Sequence, residues 1–382
     1  MKQLPFSDRI RVLFAPMFQK SRFSLSILLF AMTVFFVSCN DGEDEFHDTS
    51  VTYHKCYVAL CEGSWNGNNT SMTVYNTETK KATDWAFLKA NGKQLGDTGN
   101  DMQEHDGKLF IVMNVSGYIA VVNPNTMKLI KRIPTLDENG LNRQPRYIVF
   151  HNRFAYVSCF DGYVLKINLN TLTQTDCTKV GRNPEGMAIA NGKLYVANSG
   201  GLDFNKPIGY DHTVSVVDLN TFKEVKKIEV GLNPYKVLNY NETYLYVNTR
   251  GDYSPKHPYD LCKIDLATDE VVKHYNLSVL DMTIAKGRLY FYSYDYSTEK
   301  SGFGEIDLAT DVAVFDSPLQ KGIAKHVKLP YDMTYDKKHD LFFVADAKDH
   351  TSSGKYLGFD GNGNPTVQFN TGISPNSIIY IP

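Results

Sequence analysis

This sequence of 382 residues has only 2 Trp, no closely spaced cysteine pair and no excess of one charge. Its 6 cysteines include no CxxC pair, and setting Cys39 aside leaves an odd number, so neither a disulfide framework nor a zinc site is indicated. Lys and Arg number 40 against 42 Asp and Glu, without the basic excess that a nucleic-acid partner usually requires. We therefore expect buried free thiols and no nucleic-acid partner.

Catalytic signatures are also missing. No HExxH, GxSxG, GxGxxG or Walker pattern occurs. The 10 His are scattered, and none stands at a metal-ligand spacing such as HxH or HxxxH. The prediction is a protein that is not an enzyme and that carries no cofactor.

Aromatic residues are abundant instead, with 24 Tyr and 22 Phe, and they mark a repeat. An aromatic residue followed by a bulky apolar one recurs at Tyr57, Phe110, Tyr156, Tyr195, Tyr246, Tyr290 and Phe343. Their spacing of roughly 40 to 50 residues is the period of propeller blades. Each unit is too small to bury both faces of its sheet, so the copies must stack around an axis. The pattern predicts an all-β, seven-bladed β-propeller of four-stranded antiparallel blades, with six or eight blades as alternatives.

The fourth copy shows the repeating unit most clearly. Residues 183–190 form its inner strand, and Asn191-Gly192 is a tight hairpin signal. Lys193–Asn198 and Thr213–Asp218 read as the second and third strands, and residues 226–230, where charged and apolar residues alternate, as the outer strand.

Strand counting predicts how the ring closes. Inner strands begin near Asp101, Pro145, Pro184, Pro234, Asp281 and Pro330. A seventh, residues 374–381, comes last with no partner after it, whereas the first copy lacks an inner strand. The C-terminal strand is therefore expected to complete the first blade, which removes open sheet edges. The propeller domain is assigned to residues 55–382.

The N-terminal residues predict the compartment. An apolar segment, residues 22–38, ends at Cys39 and is typical of a secretory signal peptide, whose true start could be Met17. Val37-Ser38-Cys39 resembles the lipobox of bacterial lipoproteins, in which the cysteine is acylated; an ordinary signal peptide with a chance cysteine is the other interpretation. The acidic tether at residues 39–54 resembles the surface-export signal of Bacteroidetes lipoproteins. We therefore expect a signal peptide at residues 1–38, lipidation at Cys39 and an address on the outer face of the outer membrane.

Four segments carry a resemblance to a known family. They are residues 61–71 (CEGSWNGNNTS), 96–98 (GDT), 183–186 (NPEG) and 192–200 (GKLYVANSG). Across residues 55–382 the chain resembles the YncE-like seven-bladed propellers that gut Bacteroidetes carry as surface lipoproteins, although Cys61 stands where that family usually has Asn. One branch captures corrinoids above a TonB-dependent vitamin B12 transporter. The resemblance implies a small-molecule ligand, with a corrinoid as the best specific choice, and a TonB-dependent receptor as partner.

Five long loops predict where a ligand would bind. In a propeller, the loops that enter inner strands and those that join second to third strands emerge on the same face. The second set comprises residues 62–70, 199–212, 249–260, 294–301 and 346–353. Its candidate ligand contacts are Trp65, Phe204, Tyr210, Arg250, Tyr253, Tyr294 and Asp346. Rigid aromatic side chains give contact area at low entropic cost, which favours recognition; loops that only cover the channel are the alternative.

The starts of the inner strands predict a second group of contacts. Asp101, Arg146, Glu185, Tyr235, Asp281, Asp332 and Asn376 occupy similar positions in the seven copies. They should face the axis at the channel mouth, where Arg146, Glu185, Tyr235 and Asp332 are the ligand candidates. A mixed polar ring suits a ligand with amides or hydroxyls, and water-filled channel lining is the alternative.

Two functions of different classes follow. The first is a surface lipoprotein that captures a small or medium polar ligand and passes it to an outer-membrane transporter. The alternative is a secreted metal-dependent lactonase or related hydrolase. Propeller lactonases hold one metal with Glu, Asn and Asp from different blades, and Glu185, Asn198 and Asp346 are the weak candidates for such a site.

Overall fold

The computed structural model describes residues 51–382, so the expected signal peptide, Cys39 and most of the tether lie outside the described residues. The described part consists of seven four-stranded antiparallel sheets. The five cysteines in it are all free, with Cys177 half-buried and the others buried, close to the expectation of buried thiols. No helix within residues 51–382 is long and apolar enough to cross a membrane.

The strands follow one another around the ring, blade by blade. Blade 1 contains β1 (Cys56–Cys61), β2 (Ser71–Asn76) and β3 (Ala82–Thr83). Blade 2 contains β4 (Gly99–His105), β5 (Lys108–Met113), β6 (Tyr118–Val122) and β7 (Leu129–Pro134). Blade 3 contains β8 (Pro145–His151), β9 (Phe154–Cys159), β10 (Tyr163–Asn168) and β11 (Thr173–Lys179). Blade 4 contains β12 (Pro184–Ala190), β13 (Lys193–Asn198), β14 (Thr213–Asp218) and β15 (Lys223–Glu229).

The remaining blades repeat the same order. Blade 5 contains β16 (Pro234–Tyr240), β17 (Tyr244–Thr249), β18 (Asp260–Asp265) and β19 (Glu270–His274). Blade 6 contains β20 (Asp281–Ala285), β21 (Arg288–Asp295), β22 (Lys300–Asp307) and β23 (Val312–Val314). Blade 7 contains β24 (Pro330–Asp336), β25 (Leu341–Asp346), β26 (Ser353–Phe359) and β27 (Pro365–Ile373). The last strand, β28 (Pro375–Ile381), belongs to blade 1.

Strand β28 closes the ring as the sequence predicts. It pairs antiparallel with β1, placing Ile381 opposite Cys56 and Tyr380 opposite Tyr57. Each inner strand also contacts the inner strands of both neighbouring blades, in the circular order β28, β4, β8, β12, β16, β20 and β24. The prediction of a seven-bladed propeller whose first blade is completed by the C-terminal strand is confirmed.

The aromatic residues of the repeat lie in the second strands and pack between blades. All seven are buried. The ring of Tyr57 in blade 1 lies 4.5 Å from that of Phe343 in blade 7, and Tyr290 in blade 6 lies at the same distance from Phe342. A second strand is flanked by other strands of its own sheet, and each face of that sheet packs against a neighbouring blade. Its large side chains therefore fill the interfaces between blades and stabilise them.

A second recurring feature explains the turns between third and outer strands. Each third strand ends at, or is followed by, an Asn or Asp whose Oδ1 accepts the backbone N–H two residues further on. These residues are Asn76, Asn123, Asn168, Asp218, Asp265, Asp307 and Asp360. Such a side chain mimics a backbone turn and reverses the chain locally, so each of these turns is specified by one residue.

Two helices were not predicted from the sequence. They are α1 (Ala86–Asn91) and α2 (Pro318–His326), which follow the short outer strands β3 and β23. The N-terminus of α2 is a capping box, in which the Ser317 hydroxyl accepts the Gln320 N–H, and Pro318 occupies the first turn. The helices therefore follow the two outer strands that contribute least to their blades.

Candidate functional site at the channel mouth

Bulges at the starts of the inner strands shape the channel mouth. Every inner strand except β20 shows a register shift against its partner within its first four residues. A bulge re-aims side chains locally and is common beside binding sites. The predicted ring residues accordingly lie at two successive levels rather than one. Arg146, Glu185, Tyr235 and Asn376 are second residues of their strands, and Asp101, Asp281 and Asp332 occupy the next level in.

The outer level is organised by a buried ion pair. Arg146 Nε donates to Glu185 Oε2 at 2.8 Å, and the two side chains are only 14% and 8% exposed. Another guanidinium nitrogen of Arg146 donates to Asn100 Oδ1, and its Cζ lies 4.5 Å from the ring centre of Phe160. Burial, the largest single effect, opposes the charge of Arg146, but Glu185 together with Tyr147 and Tyr235 keeps the pKa of Arg146 above its usual value. The pair links blades 3 and 4 across the mouth.

Tyrosines extend this pair around the axis. The Tyr147 and Tyr235 hydroxyls share a hydrogen bond, and the Arg250 guanidinium lies 3.3 Å above the ring centre of Tyr235. On the other side, the Tyr331 hydroxyl donates to Glu62 Oε2 at 2.6 Å. Burial raises the pKa values of Tyr147 and Tyr331, so both phenols stay protonated.

We call Glu62, Arg146, Tyr147, Glu185, Tyr235, Arg250 and Tyr331 the mouth cluster. Burial raises the pKa of Glu62, against the opposing effects of the Tyr331 hydroxyl and the Arg146 charge. The cluster therefore offers two guanidinium groups, two carboxyl groups and three phenols around one axis. Such a set can donate to and accept from a polar ligand at the same time.

One level further in, carboxylates gather around a single lysine. Lys236 Nζ lies 2.7 Å from Asp281 Oδ1, and the other Asp281 oxygen accepts the Met333 N–H of the next blade. Asp332 accepts the Tyr356 hydroxyl at 2.9 Å. Burial, followed by the Asp281 charge, raises the pKa of Asp332 to about 7, although Lys236 opposes the shift. At neutral pH this carboxyl is therefore partly protonated.

Loop aromatics surround the mouth cluster. Tyr253 lies between two rings, 6.3 Å from Tyr210 and 5.9 Å from Tyr259. Tyr294 and Tyr296 form a second pair at 4.9 Å. Tyr294 does not lie in a loop as expected, because strands β21 and β22 continue pairing as far as Asp295 and Lys300 and lift it onto a hairpin. Tyr210 and Tyr253 are thus brought together, and Tyr259 of the same 249–260 loop joins them.

The two most exposed candidates lie on separate loops. Trp65 in the 62–70 loop is 55% exposed, and Phe204 in the 199–212 loop is 42% exposed. The second loop is held by Arg182, which donates to Asp203 Oδ2 at 2.7 Å and to the Gly209 carbonyl at 2.8 Å. That bracing leaves Leu202, Phe204 and Ile208 presented to solvent.

Asp346 and Asn198 are used inside the scaffold. The carboxylate of Asp346 accepts the backbone N–H groups of Lys328, Leu329 and Lys348, which fastens the loop entering β24. Asn198 Oδ1 accepts the Gly181 N–H, and its amide nitrogen donates to two neighbouring hydroxyls. Within residues 51–382 no group of three His, Cys, Asp or Glu side chains is placed to hold a metal ion. Glu185, the third candidate metal ligand, is paired with Arg146. The donor atoms of all three candidates are therefore engaged in other contacts.

Several members of the site were missed from the sequence. These are Glu62, Tyr147 and Tyr331, whereas Tyr259 and Tyr296 had been placed on the aromatic loops without being named as ligand contacts. Tyr147 directly follows the predicted contact Arg146. Tyr331 directly follows Pro330, the proline that starts strand β24. Aligning the copies on that proline would have found Tyr331, whereas the position of Glu62 depends on how the first loop folds back.

Comparison with known proteins identifies the fold and a domain family. A family model described as a domain of unknown function (DUF5074) matches residues 55–301. No curated protein matches the chain. A "Quinonprotein alcohol dehydrogenase-like protein" from Bacteroides thetaiotaomicron superposes with a TM-score of 0.60 at 13% identity, covering 86% of this chain and 79% of that one. A protein from Lactobacillus plantarum gives 0.59 at 12% identity, covering 86% and 100%.

A dihydro-heme d1 dehydrogenase is also similar, with a TM-score of 0.55 at 10% identity over 88% of this chain and 76% of that one. At these identities the likenesses show a shared propeller fold. Propellers carry unrelated activities on one scaffold, so function has to be argued from the channel mouth.

Proposed function

The chain belongs to the DUF5074 family, and from that premise we propose that it is a binding protein that captures a small or medium polar ligand at its channel mouth. The mouth cluster carries the proposal. It places two arginines, two carboxyl groups and three tyrosines around one axis, largely buried and flanked by aromatic loops. Concave sites with a few convergent polar groups and aromatic walls are typical of small-molecule binding.

The ligand class follows from these groups. Phenols and guanidinium groups hydrogen-bond to amides, hydroxyls and anionic oxygens, and the aromatic side chains offer flat surfaces. A corrinoid, with a flat ring edged by amides, is the first compound to test. Other polar metabolites of similar size make up the rest of the screen.

The cellular setting proposed for this binding is the bacterial surface. Lipidation at Cys39 would place the propeller on the outer membrane, and a TonB-dependent transporter would receive the ligand. The exposed Leu202, Phe204 and Ile208 on one braced loop support a protein contact near the mouth, because clustered apolar side chains on a surface favour association. A metal-dependent lactonase has less support, since Asn198 and Asp346 are engaged in backbone hydrogen bonds.

The two tryptophans of the chain provide a matched test. Trp65 lies on the loop face, whereas Trp85 precedes α1 beside the outer strand of blade 1. We expect Trp65→Ala to weaken ligand binding by about thirtyfold, equivalent to about 2 kcal/mol for an aromatic anchor, with an unchanged melting temperature. Trp85→Ala should bind as the parent does. Calorimetric titration, beginning with cyanocobalamin, measures both.

Two further variants test the same face at positions other than Trp65. Tyr253→Ala and Tyr294→Ala should also weaken binding, because they belong to the ring pairs beside the mouth. Unchanged affinity in all three loop variants would show that the ligand binds elsewhere. Metal-dependent lactone hydrolysis by the parent would support the enzyme instead.

A further inference from the structure

Arg250 is held in an unusual electrostatic position. It follows the last residue of β17, and its backbone N–H donates to the Asn233 carbonyl at 2.9 Å, which anchors the start of the loop. Its guanidinium group stacks 3.3 Å above the ring centre of Tyr235. Its Nε is buried and has no hydrogen-bond partner. A buried guanidinium nitrogen without an acceptor is unfavourable unless something else supplies that acceptor.

The other arginines of this face are already paired. Arg146 binds Glu185, Arg182 binds Asp203 and Arg143 binds Asp161. Among the ion pairs within residues 51–382, none includes Arg250. The carboxylate whose field reaches it, Glu185, is committed to Arg146 at 2.8 Å. Arg250 therefore brings a positive charge to the mouth that no neighbouring side chain neutralises by contact.

A second unpartnered group lies beside it. The Tyr259 hydroxyl is also buried without a hydrogen-bond partner. Burial raises the pKa of Tyr259, and the Arg250 charge acts against that shift, so the two groups are close enough to interact. Two donors without hydrogen-bond partners, from the two ends of the 250–259 loop, are thus within electrostatic reach of each other.

We infer that Arg250, Tyr235 and Tyr259 form a subsite for an anionic oxygen group, a phosphate or a carboxylate, carried on a ligand with a flat body. The inference rests on the proposed function, since it assigns a chemical class to the ligand of that same site. The guanidinium group supplies charge and a planar set of donors, and the Tyr259 hydroxyl adds a neutral donor. The Tyr235 ring keeps the guanidinium plane in place by stacking.

A structural role for Arg250 predicts a different response to mutation. When an arginine stabilises the fold through an ion pair, truncating it destabilises the protein. When a buried charge has no partner, replacing it with an apolar residue of similar length leaves the stability unchanged or raises it. Arg250→Met should therefore leave the melting temperature of the free protein unchanged or higher.

The test measures charge selectivity on the full chain. Phenyl phosphate, benzoate and neutral benzamide are titrated into the parent, Arg250→Met and Arg250→Lys, with binding followed by ligand-observed NMR. The parent should prefer at least one anion over benzamide by about tenfold or more, equivalent to about 1.4 kcal/mol. The preference should vanish in Arg250→Met and return in part in Arg250→Lys. Comparing phenyl phosphate with benzoate shows which anion the subsite takes.

Arg132→Met is the matched control. Arg132 lies in the outer strand β7 of blade 2, is exposed and also stacks on a tyrosine, with its Cζ 4.7 Å from the ring centre of Tyr118. It should keep the anion preference of the parent. No anion preference in the parent, no binding of either anion at millimolar concentration, or an unchanged preference in Arg250→Met would overturn the subsite. If Trp65→Ala still weakens capture of a ligand, the proposed function survives and only the anion subsite is lost.

Discussion

The pKa of the Asp332 carboxyl group is determined by the groups that surround it in the channel. Its burial and the nearby Asp281 charge raise its pKa, while the Lys236 charge and hydrogen bonds from Tyr356 and Thr334 act in the opposite direction. The Tyr356 hydroxyl donates to it whether or not the carboxyl carries a proton. Its pKa of about 7 means that the channel changes charge within the physiological range.

Stability should therefore depend on pH through this residue. The folded pKa of about 7 lies above the ordinary value of 3.8, so the native state holds a proton that the unfolded chain releases. The resulting stabilisation is fully present below the unfolded pKa and is lost as pH rises through 7. Asp332→Asn should gain stability relative to the parent between pH 5 and pH 8, on the order of 2 to 3 kcal/mol, in urea unfolding at both pH values.

Asp295→Asn is the control for that measurement. The Ser297 and Thr298 side chains lower the pKa of Asp295 to about 2, so its folded and unfolded pKa values both lie below pH 5. Its difference from the parent should stay constant between pH 5 and pH 8. A constant difference for Asp332→Asn as well would mean that Asp332 is ionised throughout.

Single residues were also the hardest features to predict from the sequence. The sequence identified Arg146, Glu185 and Tyr235 near the axis, because the repeat places every inner strand in order. It did not separate the two levels of the ring, because Asp332 was grouped with Arg146 and Glu185 although it is the third residue of its strand and they are second residues. The orphaned Arg250 Nε could not be foreseen, since it depends on which partner Glu185 selects.

Strand β28 carries the closure at the scale of a single element. Ile378 and Ile381 are buried against blade neighbours, and the Asn376 amide donates to the Gly99 and Asn100 carbonyls of blade 2. The repeat predicted this strand because every copy but the first contained an inner strand. Helices α1 and α2 gave no such signal, being short and outside the repeat, although the Ser317-Pro318 start of α2 is a recognisable cap.

Deleting residues 374–382 should expose the hydrogen-bonding edge of β1 and unpack two neighbouring blades. Burying each isoleucine stabilises the fold by about 1.5–3 kcal/mol, which is a large share of the net stability of a domain. We expect aggregation or rapid cleavage by trypsin. Removal of Pro382 alone, an exposed residue beyond the strand, is the control. A truncated protein that melts like the parent would contradict closure by β28.

At the scale of the whole molecule, the propeller and its proposed anchor are separate questions. The ring of blades is shown for residues 55–382, whereas the lipid anchor rests on Val37-Ser38-Cys39 and the acidic residues that follow. A site on one face of a tethered ring would be open to the medium, as capture of a dilute ligand requires.

Replacing the residue proposed to be acylated tests that arrangement. Cys39→Ala should release the protein from the membrane fraction, because the proposed lipid would have no thiol to attach to. Cys61→Ala, which changes a buried thiol inside β1, should stay with the membranes if it folds. Immunoblotting of carbonate-washed membranes distinguishes the two. Retention of Cys39→Ala in the washed membranes would show that the lipoprotein assignment is wrong.

The pairing of β1 with β28 also determines when the ring can close during synthesis of the chain. The strand that begins the ring must wait, with one edge unpaired, until the residues of β28 have been synthesised. Closing so long a loop comes late and slowly, because contacts distant in sequence cost chain entropy before they stabilise anything. A chain that is cut short before β28 therefore keeps that edge of β1 unpaired and stays sensitive to proteases. Resistance to proteases would thus show that β28 has been synthesised and has paired with β1. The topology therefore links protease resistance to completion of the chain.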